Sequence, residues 1–301
     1  MAVTDAAWSV AEAPSARPER QRRPVAAREP RLLTPAEESR VPQQLGGAAA
    51  LLAAAALTDS GIEHYRGAYH DKAMYLSLGI AGLALAAALH GSVDRRREAQ
   101  PWRGAVGALA LAGGIAGTGF HLHNVTKRPG GLSWLNLFYA APLGAPAALS
   151  LAGILGVAAE ALRHRRGSDD VAAGRALAGA VALGLTGTVA EAALLHFRGA
   201  YHNPAMVIPV VGPPIAAALL ARAAIAPQRP QATTRWSLRL LAAIGLLGSA
   251  FHAYGVHRNM GGWRNWTQNL LNGPPLPAPP AFTALAIAGL AALRLLRGKS
   301  R

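Results

Sequence analysis

Two short segments of the sequence gather residue types that do chemistry. Residues 64–74 read His-Tyr-Arg-Gly-Ala-Tyr-His-Asp-Lys-Ala-Met and residues 196–206 read His-Phe-Arg-Gly-Ala-Tyr-His-Asn-Pro-Ala-Met, an offset of 132. An imidazole can bind a metal ion or exchange a proton near neutral pH, a guanidinium donates to anions and carbonyls, and a phenol adds an amphipathic wall. An acidic residue stands five positions ahead of each segment, Asp59 in one case and Glu191 in the other. Two further histidines, His121 and His252, match at an offset of 131.

The combination predicts that His64, Arg66, Tyr69, His70 and His121, with His196, Arg198, Tyr201, His202 and His252, bind an anion or a quinone carbonyl, in one site or in two. His64 with His121, and His196 with His252, are also spaced to ligate a b-type haem iron or another metal ion from two facing helices. Asp59 and Glu191 are candidate proton relays, because an ionisable residue inside a membrane segment is costly to keep there. Residues five apart on a helix point about 140° away from each other, so Asp59 and His64 do not share a face. A structural reading stands beside each of these. The histidines and acids can be satisfied by neighbouring hydrogen bonds, and Tyr, Trp and Arg favour the headgroup region in any membrane protein.

The elements that must position these residues are long apolar runs. The chain has 301 residues, 51% hydrophobic and only 15% charged. Its Ala-, Leu- and Gly-rich stretches have the length that crosses a hydrocarbon layer as a helix. We read eight spans, near 46–64, 73–92, 104–123, 136–161, 173–196, 205–225, 236–254 and 278–296. Residues 1–43, rich in Ala, Pro, Arg and Glu, are expected to form a disordered tail. The fold class expected is all-α: a polytopic integral membrane bundle in which residues 44–166 and 167–301 are tandem four-helix repeats.

The repeat extends beyond the histidine segments. Gly117, Phe120, Val125, Gly130 and Gly131 match Gly248, Phe251, Val256, Gly261 and Gly262 at 131. Trp134 matches Trp266, while Asn136, Pro142, Leu143, Ala145 and Pro146 match Asn269, Pro275, Leu276, Ala278 and Pro279 at 133. Four spans per repeat give both copies the same orientation and a pseudo-two-fold axis along the membrane normal. Paired glycines predict a tight fold-back, and the second proline of each pair predicts a bend at the start of the fourth span.

Charge placement predicts topology. Twenty-three Lys and Arg fall in the first tail, the even-numbered connections and the C-terminus, against seven in the odd-numbered connections. The positive-inside rule then sets the protein in the plasma (bacterial inner) membrane with both termini cytoplasmic and the histidine motifs extracytoplasmic. The net charge of +15 is thereby explained by membrane topology, with no nucleic-acid partner expected. The absence of Cys excludes an iron–sulfur cluster or a c-type haem on this chain. No Walker loop, Gly-x-Ser-x-Gly, His-Glu-x-x-His or His-His pair occurs.

The function expected is a membrane subunit of an electron-transfer complex, embedded in lipid and needing a redox partner subunit at or beyond the outer face. Two four-helix units are similar in architecture alone to the quinone-reactive anchor subunits of bacterial molybdenum and polysulfide reductases. Two alternatives use the same residues: a transporter or channel relaying protons or cations through Asp, Glu and His, or a membrane-embedded non-haem metalloenzyme.

Overall fold

A computed structural model of the chain describes residues 35–96, 98–164, 170–228 and 231–297. Ten helices occur among them: α1 (Pro35–Arg66), α2 (Met74–Val93), α3 (Pro101–Thr126), α4 (Trp134–Phe138), α5 (Gly144–His164), α6 (Asp170–Arg198), α7 (Ile208–Ile225), α8 (Ala232–Arg258), α9 (Trp266–Asn272) and α10 (Pro280–Leu295). No strand is present among the described residues. Apolar helices suit this environment because lipid offers backbone groups no hydrogen-bond partner, so each segment must satisfy its own.

Seven helices are long and apolar enough to cross a membrane: α1 from Arg40 onward, α2, α3, α5, α6, α7 with the 3-10 turn before it, and α8. The expected eighth span is shorter. α10 has 16 residues, about 24 Å of helix at 1.5 Å per residue, against a hydrocarbon core of about 30 Å. It is also the most enclosed helix, with Ala284, Leu285, Ala286, Ala288, Ala291 and Ala292 fully buried.

Two other boundaries differ from the sequence reading. α1 begins at Pro35, and Val41 is buried in the core, so the expected tail to residue 43 ends sooner; residues 1–34 lie outside the described residues. The expected fourth span, 136–161, is broken into α4, a non-helical stretch and α5. Pro142 falls in that stretch, and Pro146 sits in the first turn of α5, where its missing N–H has no helical partner to lose. The expected bend at Pro146 therefore does not arise. The junction between the expected repeats, at 166 and 167, lies outside the described residues.

The packing makes two rings of four. α1 and α3 sit on one diagonal, each against α2 and α5; α6 and α8 sit on another, each against α7 and α10. α1 also packs on α10, which joins the rings. Small residues permit the close approaches. A Cβ at Gly46 of α1 would come within 2.8 Å of the Ser92 backbone nitrogen of α2, and one at Gly245 of α8 within 2.7 Å of the Thr283 nitrogen of α10. Without a hydrophobic drive between helices in lipid, such close contact supplies the dispersion energy that holds them.

Candidate functional site

Each histidine segment forms the end of one long helix and the turn into the next. After His64, the α1 helix closes with Ala68 and Tyr69 at φ 53° and 45°; after His196, α6 closes with Ala200 and Tyr201 at 54° and 46°. Two successive non-glycine residues in the left-handed region cost of order 1–2 kcal/mol each, and both segments adopt them. The turn is held by Tyr69 N–H donating to His64 O at 3.0 Å and by Tyr201 N–H donating to His196 O at 3.1 Å. The Tyr69 hydroxyl donates back to Gly61 O at 3.2 Å, and Tyr201 to Ala193 O at 3.3 Å. Each tyrosine is thus a strut for its own turn, with its ring edge-on to the histidine at 6.3 and 6.1 Å.

The four principal histidines share one hydrogen-bonding arrangement. His64 Nδ1 donates to Met74 O (3.1 Å), His196 Nδ1 to Met206 O (2.7 Å), His121 Nδ1 to Pro142 O (2.8 Å) and His252 Nδ1 to Pro275 O (2.6 Å). A carbonyl oxygen can only accept, so Nδ1 carries the proton and a neutral ring presents a lone pair at Nε2. Among the described residues no hydrogen bond engages any of these Nε2 atoms. His64 and His121 are within electrostatic reach of each other, as are His196 and His252. The two histidines of each pair therefore lie at one end of their ring. His70 stands within the same electrostatic reach of His64 but, like His202, is exposed, with Nδ1 on Gly67 O and Gly199 O.

The loops that follow α3 and α8 repeat as well. Gly130 and Gly131 (φ 87° and 57°) and Gly261 and Gly262 (80° and 54°) make the fold-back that the paired glycines predict. Asn136 ties its turn through Nδ2 to Gly131 O, and Asn269 through Nδ2 to Gly262 O, both at 2.8 Å. These turns set the stretches whose Pro142 and Pro275 carbonyls receive the histidines.

The two arginines diverge. Arg66 pairs with Glu63 at 2.7 Å on an exposed surface, an interaction worth little in water. Arg198 instead reaches the end of α4, donating to Leu137 O and Ala140 O at 3.4 Å with its guanidinium 5.3 Å from the Phe138 ring centre. The acids diverge too. Glu191 stands against the start of α5, its carboxylate close to Gly144. Asp59, half-buried, has Glu63, Glu191 and Arg66 as its electrostatic neighbours. Asp59 and Glu191 thus lie near each other across the junction of the two rings.

A second polar cluster was not anticipated. At the opposite end of the first ring, Arg103 forms a two-pronged bridge to Glu160 (2.8 and 3.0 Å) and a bond to Asp94 (2.6 Å), and donates to His90 Nδ1 at 2.9 Å. Arg163 closes the C-terminus of α2 by donating to Gly91 O and Asp94 O. Arg103, Glu160 and Arg163 are all buried. The Arg103 guanidinium, with a hydrogen bond from Arg96 N–H, holds the Asp94 carboxyl at about 2, well below its ordinary range. The sequence signal was Glu160, the sole acid in its apolar run, three residues before Arg163; counting Arg103 and Arg163 only as loop charges hid it.

Beneath this cluster lies a cavity of about 20 Å³ lined by Ala88, Gly107, Ala152, Gly156, Arg103 and Glu160 among others, room for one water. The second ring fills the same place. Leu220, Leu238 and Leu285, all fully buried, stand where Ala88, Gly107 and Ala152 do.

Chemically, the histidine end of the bundle offers imidazole lone pairs from both rings and two acids between the rings; no group of three His, Asp or Glu able to hold a metal ion occurs among the described residues. No protein-family model, curated protein or solved structure matches the chain.

Proposed function

We propose that the protein is an integral membrane subunit of a redox complex, built as a tandem duplication of a four-helix unit with α10 as its eighth membrane helix. Both termini face the cytoplasm, and the histidine pairs, near the other face, engage a quinol or the iron of a b-type haem. The observation that carries this reading is the Nδ1 hydrogen bond of His64, His121, His196 and His252 to a backbone carbonyl. A neutral imidazole fixed in this way turns an acceptor outward. It can ligate iron, and a backbone carbonyl on the other nitrogen is the usual support for a ligating histidine. It can also take the proton of a quinol hydroxyl, whereas it has no N–H left for a quinone carbonyl. The remaining redox centre belongs to a partner subunit.

The test is the dithionite-reduced minus oxidised absorption spectrum of the detergent-purified protein, with thermal melting in the presence of a short-chain quinol. Sharp b-type bands that vanish in His121→Ala and His252→Ala, or a quinol-dependent rise in melting temperature lost in the same variants, are expected. A featureless spectrum together with no response to quinol overturns the reading.

One observation favours a second reading. Asp59 and Glu191, from different rings, are electrostatic neighbours, an arrangement suited to a proton or cation path between two halves. Proton or cation flux into liposomes, abolished by Asp59→Asn with Glu191→Gln, would support it over electron transfer.

A further inference from the structure

All 15 Asp and Glu residues of the chain lie at or before Glu191. The last 110 residues therefore contain no Asp or Glu, while arginine continues through them. The consequence is sharpest at the connection between α7 and α8. Contacts that recur in both rings fix the correspondence: His64 to Met74 and His196 to Met206 align α2 with α7, while Gly114 against Ser150 and Gly245 against Thr283 align α3 with α8 and α5 with α10. In that register Asp94 is replaced by Ala226, Glu160 by Leu293, Arg103 by Thr234 and His90 by Arg222. The first ring neutralises its cations internally; the second has lost both acids together with the arginines they pair, Arg103 to Thr234 and Arg163 to Leu296, and carries Arg222 in place of His90.

We infer that the paired ends of α7 and α8 bind the headgroup of an anionic phospholipid, held by Arg222, Arg235 and Arg239. Arg222 lies in the last turn of α7, and Arg235 and Arg239 lie four residues apart near the start of α8, which packs against α7. Among the described residues none of the three is paired with a carboxylate. Guanidinium groups match phosphate oxygens in planar, two-pronged geometry. The Arg239 guanidinium lies 4.7 Å from the ring centre of Trp236, an exposed aromatic of the type found at headgroup level. In the same connection, Gln231 Oε1 and Thr234 Oγ1 are buried without hydrogen-bond partners. Thr234 is wholly inaccessible and Gln231 is 7% exposed.

The apolar surroundings select a lipid over a free anion. Ile225, Trp236 and Leu240 are 76%, 67% and 64% exposed beside the arginines, a surface for acyl chains that a soluble phosphate would leave bare. Basic groups at the ends of membrane helices attract anionic headgroups in this way.

The experiment uses the full chain in mild detergent, with phosphatidylglycerol, phosphatidylcholine or inorganic phosphate added, read by native mass spectrometry and by melting temperature. Retained phosphatidylglycerol adducts and a higher melting temperature are expected, with neither for phosphatidylcholine or phosphate. Replacing Arg222, Arg235 and Arg239 with Gln should weaken phosphatidylglycerol binding by about tenfold or more, whereas replacing all three with Lys should largely keep it. An equal charge removal at the other end of the helices, Arg128→Gln, Arg258→Gln and Arg264→Gln together, should leave binding intact. Equal loss in that control, undiminished binding in the first triple variant, or phosphate acting as well as the lipid would each overturn the inference.

Discussion

His121 donates its Nδ1–H to the carbonyl oxygen of Pro142 at 2.8 Å, joining the end of α3 to the stretch that leads into α5. The bond does two things. It satisfies a carbonyl that lies outside regular helix, and it fixes which ring nitrogen is left as an acceptor. His252 and Pro275 repeat the relationship at 2.6 Å. Support and site are therefore the same side chain, and they can be separated by substitution.

His121→Asn keeps a donor and discards the imidazole lone pair; His121→Ala discards both. Leaving the half-buried Pro142 carbonyl unsatisfied costs about 1 kcal/mol. The alanine variant should melt several degrees below wild type, with the asparagine variant between them, while both lose any haem or quinol response. If asparagine retains that response in full, His121 is a support alone.

The turn after each histidine stores strain at a defined place. Ala68 and Ala200 hold φ of 53° and 54°, so Ala68→Gly relieves the steric penalty and should be neutral or stabilising by up to about 1 kcal/mol. Ala68→Val should destabilise. Tyr69→Phe removes the hydroxyl bond to Gly61 O and should cost about 1 kcal/mol. Melting curves for the three variants give the order; a stabilising valine would show that the turn is not formed as described.

Much of this was legible in the residues. Repetition of the histidine segment at an offset of 132 announced equivalent turns, and the two copies share their backbone angles and hydrogen bonds closely. The paired glycines announced the fold-back because glycine adopts successive positive φ values without steric cost, whereas Ala68 with Tyr69 and Ala200 with Tyr201 adopt them with no such signal in their residue types. Proline misled for a physical reason: Pro146 lies where a helix tolerates it, and hydropathy alone does not say where helical winding begins. The Arg103 and Glu160 bridge was hidden because its partners are 57 residues apart and only the packing of α3 on α5 joins them. Apolar periodicity cannot report such a pairing.

That bridge should behave as a buried pair in which each charge depends on the other. Glu160→Gln leaves Arg103 without its two-pronged partner in a site where both side chains are almost inaccessible. Breaking a buried pair from one side costs about 3–5 kcal/mol, whereas replacing both members with apolar residues of similar volume is often neutral. Arg103→Met alone should therefore be strongly destabilising, and Arg103→Met combined with Glu160→Met should recover much of the loss. Additive losses in the double variant would mean that the two side chains act independently.

Asp94 ties the same cluster to pH. Its carboxylate accepts from Arg103 at 2.6 Å and from the Arg96 N–H at 3.0 Å, and the guanidinium holds its pKa at about 2. An unfolded chain binds that proton near 3.9. Because the folded value is the lower one, the stabilisation is fully present above about pH 4, and it is lost as pH falls from there through about 2. Asp94→Asn retains an oxygen for Arg103 but has no charge to titrate. Wild type should therefore melt well above the asparagine variant at pH 7, and the gap should close progressively between pH 4 and pH 2. A gap that stays constant across that range would mean that the Asp94 charge contributes nothing to the fold, and that the bridge to Glu160 alone secures Arg103.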